Sequence, residues 1–472
     1  MRALCATRKT LQRLARANLC GAKVCSVREL QIKIMKVAIV SLGCAKNQVD
    51  AEMMMSRLYK AGYTFAEEPG LSDITLLHTC GFITAAKEEA IEWLNELIAL
   101  KDEGRIKYIA VSGCLSERYR EEFCREYPEV DAVIGISEYE RIVEVFSEMT
   151  GGNRVCVFGD KERHTMEGER VLSTLPHYAY MRIADGCDNC CTYCAIPQIR
   201  GRFRSRTTEN IVEEAKELVD TGVKELILIA QDVTRYGLDL YGRLALPELL
   251  DKLCELDFKW IRLLYCYPER ITDELIDCIK RQDKIVKYLD IPLQHCDGDI
   301  LKRMNRRGDE KSLRELIAKL RREIPGITLR TTFITGFPGE TEEQFNALGE
   351  FAQDMRFERM GCFAYSEEEN TPAADYPDQV DEEEREHRKE IREEQEDARV
   401  AEMFGEMIGQ SAEVVVEGYD RFIEHYFGRS AAYAPEIDGM IYFKSDKRPQ
   451  VGEFVKVKFT KVAENNLIGE QI

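Results

Sequence analysis

Residues 184–206 read ADGCDNCCTYCAIPQIRGRFRSR and place four cysteines, Cys187, Cys190, Cys191 and Cys194, within eight positions. Two framings compete. Taken as Cys187/Cys190 and Cys191/Cys194, they are two abutting CxxC pairs that suggest zinc. Taken as Cys187, Cys191 and Cys194, they are a CxxxCxxC triplet with Cys190 left over. Structural zinc sites usually separate their two CxxC halves by a dozen or more residues, so that the loops can close a tetrahedron. Here the halves touch, which makes the zinc reading weak. A triplet on one loop suits three corners of a cubane 4Fe–4S cluster, whose irons take thiolate ligands. Three ligands leave one iron free for a small molecule. Cys190 is the obvious fourth thiol, but the neighbour of Cys191 points the other way in an extended loop.

The chain of 472 residues is long enough for about three domains. Its 17 cysteines are scattered through a long charged sequence, unlike the short secreted format that reads as disulfide-stapled. There is no secretory h-region and no run of 18 apolar residues, so the reading is a reducing, cytoplasmic protein. Lys and Arg total 66 against 85 Asp and Glu, a net charge of −19. A field of that sign favours basic partners and opposes non-specific nucleic-acid binding. Residues 1–34 differ: they carry eight basic residues and one acidic residue, Glu29. They read as a disordered leader, or as sequence from upstream of the natural start. An Arg-rich, acid-poor organellar transit peptide is the alternative. Folded structure is expected from Met35.

From 35 to 150, strand-like KVAIVSL, DITLLHT and KYIAVSG alternate with the helical patterns QVDAEMMMSRLYKAG, AAKEEAIEWLNELIALK and LSERYREEFCREYP. This is a βαβ series and predicts a doubly wound α/β domain with a parallel sheet. Each strand runs into a cysteine: Cys44 in SLGCAKN, Cys80 in HTCGF, Cys114 in SGCLS. In such sheets ligands sit outside the carboxyl ends of the strands. Lone buried cysteines are usually core filler. Three at one topological position, each beside a glycine, point instead to a second metal site.

Residues 151–176 read as a polar linker. A second series follows over 177–408, with strand candidates YAYMRIADG, KELILIAQD, WIRLLYCYP, VKYLDIPLQH, TLRTTFITGFPGE and RMGCFAYSEEEN. Six βα repeats predict a TIM-like (β/α)6 barrel, complete or partial. Gln231, Asp232, Gln294, His295, Glu340 and Ser366 fall at carboxyl ends, where barrel active sites are built. The charged run beginning VDEEEREHRKEIREEQED reads as a solvated connector helix. Residues 409–472 alternate like the strands of a small antiparallel β-barrel.

The triplet with an aromatic before its last cysteine, CDNCCTYC, resembles the radical S-adenosylmethionine (SAM) superfamily. The whole chain from Met35 resembles the methylthiotransferase family in order: a three-cysteine domain, a radical SAM barrel and a carboxyl-terminal TRAM barrel. The resemblance implies that Cys187, Cys191 and Cys194 hold one 4Fe–4S cluster, with Cys190 a bystander, and that Cys44, Cys80 and Cys114 hold an auxiliary one. It implies SAM contacts from Tyr193 on the adenine side, Gln231 and Asp232 near the amino group, and Gly336 and Gly339 in TGFPGE, where glycine lets backbone approach a ligand. One SAM is then the methyl donor to sulfur on the auxiliary cluster, and a second is the source of the radical that removes hydrogen from a C–H carbon. An electron donor such as flavodoxin or ferredoxin is implied as a partner. No general base is required, so His78, His177 and His295 read as structural or binding residues.

Within the family, SLGCAKNQVDAEMM, CGFITAAKEEAIE, IPLQH, ILKRMNRRG and FAYSEEENTPAA resemble the branch that modifies an aspartate of protein twelve of the small ribosomal subunit. Ala45 and Ala51 stand where that family usually has Pro and Ser, His78 where it has Asn, and Asn370 where it has Gly. Residues 409–472 hold eight Lys and Arg against ten Asp and Glu, a poor clamp for RNA and a good one for a basic ribosomal protein. The alternative is methylthiolation of adenosine in transfer RNA, with RGRFRSR (201–206 and Arg200) as a basic strip. An iron–sulfur electron carrier is a further reading, but leaves the barrel and the glycine-rich segment without a role. Cys124, Cys156, Cys254, Cys266, Cys278 and Cys362 read as small core or surface residues, and Cys296 as a neighbour of the site.

Overall fold

In the computed structural model, residues 4–5, 35–164 and 166–472 are described. Apart from Leu4–Cys5, the expected leader lies outside the described residues. Two units are distinguished: the chain up to Ser173 with 185–188 and 194–203, and residues 174–184, 189–193 and 204–472.

In the first unit, strands Lys36–Ser41, Ile74–Thr79, Tyr108–Gly113, Ala132–Ile134 and Val155–Val157 pair parallel in that order. Val37 pairs with Ile74 on one side and with Phe65 of the short strand Thr64–Phe65 on the other. The direction of winding therefore reverses beside Lys36–Ser41, as in a doubly wound sheet. Leu4–Cys5 pairs antiparallel with the same strand, at Ser41 and Val40. Strand side chains alternate between two cores. Ile74 and Leu76 pack with Met54, Leu58 and Phe146 from helices Ala45–Lys60 and Ile142–Thr150. Leu77 packs with Leu94, Leu97 and Phe123 from helices Thr84–Asp102 and Cys114–Glu126. Near-continuous apolar strands are what a sheet covered on both faces requires.

Two expectations are corrected here. Residues 151–176 are not simply a linker: Val155–Val157 extends the sheet, and Ser173 is held to Glu52 by its backbone N–H at 2.7 Å. Cys124 and Cys156, expected as separate thiols, are joined in a disulfide between the end of helix Cys114–Glu126 and that added strand.

In the second unit, Tyr178–Arg182, Glu225–Ile229, Trp260–Leu263, Ile285–Asp290, Thr328–Thr335 and Arg359–Ala364 form a six-stranded parallel sheet in sequence order. Among the described residues its first and last strands do not pair, so this is a partial barrel. The intervening helices start where side-chain caps predict: Thr207, Thr272, Asp309 and Thr341 each accept a backbone N–H of the first turn. Helix Glu382–Met407 corrects the solvated connector. Arg392 lies 4.0 Å over the Phe345 ring, Arg388 pairs with Glu340 at 2.7 Å, and Phe404 joins the core of the last domain. Its buried face is built from arginine stems, which a count of apolar residues misses.

Residues 411–471 close a five-stranded barrel of Ser411–Asp420, His425–Ser430, Ile441–Lys444, Phe454–Ala463 and Asn466–Gln471. It is antiparallel save for one seam, where Ile441–Lys444 runs parallel to Asn466–Gln471. Among the described residues no helix is long and apolar enough to cross a membrane.

A buried ionic chain runs through the second unit. Glu225 accepts from Arg262 at 2.7 Å and from Arg429 at 2.8 Å, and Arg429 also donates to Glu417 at 2.7 Å. His177 lies 3.2 Å from Glu417, a structural placement. Burial alone would raise the Glu225 carboxyl, but the two guanidiniums outweigh it and hold the pKa down at about 2. A depressed carboxyl stabilises the fold above the ordinary glutamate range, and that contribution is lost as pH falls toward about 2. Glu225→Gln leaves two buried guanidiniums short of a counter-charge. The expected cost is about 3–5 kcal/mol in denaturant unfolding at neutral pH.

Candidate functional site

The three strand-end cysteines of the first unit are brought together by close backbone packing. Cys44 caps helix Ala45–Lys60, and Cys114 is the first residue of helix Cys114–Glu126. A Cβ on Gly43 would stand 2.7 Å from the Cys80 Cβ, and one on Gly81 would stand 2.8 Å from the backbone of Leu115. Glycine is required at both positions because neighbouring strand ends touch there. The thiols sense one another. Burial pushes Cys80 up, and the charges of Cys114 and Cys44 push it further. Burial raises Cys114 despite Arg200. Burial also opposes ionisation of Cys44, but Lys46, Arg200 and backbone N–H donors outweigh it, and its pKa falls.

This donor set suits an iron–sulfur cluster. Among the described residues no three His, Cys, Asp or Glu side chains are grouped as for a single metal ion. A cubane spreads its thiolates over separate iron corners. The three thiols come from adjacent strand ends, beside the reversal of winding where such sheets bind ligands. His78, one strand position before Thr79, is buried with its Nδ1 2.8 Å from the Ser112 hydroxyl, tying two of these strands together.

Cys187 and Cys194 belong to the first unit and Cys191 to the second, and each is described in its own. The Cys187 N–H donates to Gly201 at 3.1 Å. Cys191 is buried, its Sγ 3.0 Å from the Tyr267 hydroxyl and 3.9 Å from the Arg306 guanidinium, which lies 4.1 Å over the Tyr267 ring. Cys190 is the exposed member, with a left-handed φ of 51°.

The expected SAM residues all lie in the second unit. Tyr193 packs with Ile300, Met304, Phe337 and Tyr365. Gln231 is half-buried beyond the end of Glu225–Ile229. Asp232 is buried and accepts from Asn189 at 3.1 Å, from Arg270 at 2.7 Å and from Thr234. Asn189, between Cys187 and Cys191, is thereby fixed to a barrel strand end. Gly336 and Gly339 have φ of 68° and 81°. The space a Cβ would need is taken by Arg385 at Gly336 and by Asp378 and Arg303 at Gly339. The chain itself, in addition to any ligand, explains these glycines. Glu340 anchors the loop, accepting from the Gly336 N–H at 2.6 Å and lying 3.1 Å from His295 Nε2. His295 is thus a structural partner of Glu340. Cys296 is buried and its thiol is raised to about 12, chiefly by burial. Asn370 adopts φ 61°, a conformation asparagine tolerates and glycine prefers.

Sequence reading missed Tyr267, Arg306 and Arg200. Arg200 and Arg206, expected in a basic strip, are both buried in ion pairs: Arg200 with Asp50 at 2.9 Å and Arg206 with Glu214 at 2.6 Å. Of that strip Arg202 is exposed and Arg204 partly exposed, so the surface charge is smaller than the linear run suggests.

Three family models match: uncharacterized protein family UPF0004 over residues 36–135, the Radical SAM superfamily over 181–352 and the TRAM domain over 408–472. With the partial barrel and its CxxxCxxC loop, these define a radical SAM enzyme with an added three-cysteine domain. Curated relatives that match bear the name ribosomal protein uS12 methylthiotransferase RimO, among them two bacterial proteins. The protein from Thermoanaerobacter sp. (strain X514) is 46% identical over 92% of this chain and 99% of its own. The protein from Lachnoclostridium phytofermentans is 47% identical over the same shares. The chain belongs to the RimO family of radical SAM methylthiotransferases. Among solved structures, the radical SAM methyltransferase TsrM from Kitasatospora setae aligns with a TM-score of 0.53 at 13% identity, over 72% of this chain and 75% of that one. That likeness is one of fold alone.

Proposed function

We propose that this enzyme transfers a methylthio group to the β-carbon of an aspartate in ribosomal protein uS12, using SAM and two 4Fe–4S clusters. The observation that carries this reading is the packing of Gly43–Cys44, Cys80–Gly81 and Gly113–Cys114 onto one another at neighbouring strand ends. That second thiol set offers a place to hold sulfur apart from the CxxxCxxC loop. The names of relatives 46% and 47% identical over nearly the full length support the same substrate.

In this reading Cys44, Cys80 and Cys114 hold the auxiliary cluster, and Cys187, Cys191 and Cys194 hold the other. When bound, the clusters and SAM supply the methylthio group and the 5′-deoxyadenosyl radical that takes a hydrogen atom from substrate. The chain's own residues position these groups. Glu340 braces the Gly336–Gly339 loop, which with Tyr193, Gln231 and Asp232 forms the SAM contacts. Tyr267 and Arg306 orient Cys191 and place a positive charge beside its sulfur. Flavodoxin or ferredoxin fits as electron donor, and the cytoplasm as the place where ribosomal protein and donor meet.

Mass spectrometry of uS12 and of transfer RNA tests the proposal, in cells with and without the gene. The expected result is a methylthio-aspartate in uS12 that disappears with the gene and returns on complementation. Methylthio-adenosine following the gene instead, with uS12 unmodified, would overturn the substrate and leave the radical chemistry standing.

A further inference from the structure

Arg200 lies six residues beyond Cys194, yet its guanidinium reaches a cysteine of the other set. Nη2 is 3.7 Å from the Cys114 sulfur and donates to Asn47 Oδ1 at 2.8 Å. Nη1 pairs with Asp50 at 2.9 Å and with Asp185 at 3.3 Å. The arginine side chain is 2% exposed and both carboxylates are 0% exposed. Asn47 in turn donates to the carbonyls of Leu42 at 3.1 Å and Thr79 at 2.9 Å, the residues just before Gly43 and Cys80. His164 Nε2 lies 3.3 Å from Asp50. All of these groups belong to the first unit.

A guanidinium has only donors and keeps its charge in proteins, so its contact with a sulfur is a donation toward it. The two carboxylates hold one edge of the fork and turn the other to Cys114. Asp185 precedes Cys187 and Arg200 follows Cys194, so the same ion pair closes the loop that bears the CxxxCxxC triplet. Hydrogen bonds to ligand sulfurs and the net charge around a cluster set its reduction potential.

We infer that Arg200 is a positioning residue for the auxiliary cluster: it donates to the Cys114 sulfur and raises the reduction potential of the group that Cys44, Cys80 and Cys114 hold. This rests on the proposed auxiliary site. Removing the arginine takes a positive charge from beside the sulfur while the negative charges of Asp50 and Asp185 stay, so adding an electron becomes harder. Removing Asp50 has the opposite sign.

The test uses the full chain with Cys187, Cys191 and Cys194 changed to alanine, reconstituted anaerobically with iron and sulfide. Iron content and a potentiometric titration followed by electron paramagnetic resonance are then measured. In this background Arg200→Gln is expected to lower the potential by a tenfold change in the reduction equilibrium, 59 mV for one electron. Asp50→Asn is expected to raise it. If the background protein holds no iron, the auxiliary site falls and this inference with it. If it holds iron but either variant keeps its iron with an unmoved potential, the inference alone is overturned. Should Arg200→Gln shed its iron, the upward shift in Asp50→Asn supports the assignment, and a static or lowered potential overturns it. Loss of iron from both variants marks the pair as purely structural, which also overturns it.

Discussion

With Cys44, Cys80 and Cys114 all replaced by alanine, the reconstituted protein should fall from about eight irons to about four, by the count of four per cubane. It should still cleave SAM to 5′-deoxyadenosine under reductant, and methylthio transfer to uS12 should drop to background. The three thiols sit on loops that pack against one another at neighbouring strand ends. No protein ligand to that cluster would remain. The change leaves Cys187, Cys191 and Cys194 in place, so radical formation is expected to persist. Full iron content in this variant would remove Cys44, Cys80 and Cys114 as ligands. Intact transfer with half the iron would show that the auxiliary cluster is not needed for the chemistry.

Replacing Cys187, Cys191 and Cys194 should have the complementary effect. Iron should again halve, but SAM cleavage and transfer should both fall to background, because the iron left open by this triplet is where SAM is expected to bind. Cys190→Ala is the informative control. Cys190 is exposed, and its positive φ sets its backbone apart from that of its neighbour Cys191, whose buried sulfur lies beside Tyr267 and Arg306. Cys190→Ala should therefore keep all of the iron and near-normal SAM cleavage. Loss of the barrel iron in Cys190→Ala would make Cys190 a ligand and return the question of the double CxxC pairing.

The acidic partners of Arg200 and Arg206 bear on substrate choice as well as on the clusters. Read linearly, RGRFRSR is a run of positive charge suited to phosphates. In the fold two of its arginines are buried against carboxylates, one of them Asp50, which lies 150 positions earlier in the chain. A run of charge in sequence therefore becomes only in part a charged surface here.

The strand and helix alternation of both α/β regions was legible in the sequence, because short apolar runs and period-3.6 helix faces are local properties. So were the CxxxCxxC loop, where ligand spacing is short, and the three strand-end cysteines, whose position is fixed by the strands that precede them. Other features depended on pairings between distant residues. The sheet strand Val155–Val157 is three residues long and too short to show a period. The helix Glu382–Met407 buries arginine stems, so its inner face looks like solvent in composition. The disulfide between Cys124 and Cys156 links positions 32 apart. The close packing of Gly43 on Cys80 and of Gly81 on Leu115, and the reach of Arg200 to Cys114, exist only once parallel strands 30 or more residues apart lie side by side. Local periodicity determined which elements form and where the thiols fall along them. Tertiary packing decided which thiols meet and which charges are buried against one another, because those contacts join residues that no local pattern relates.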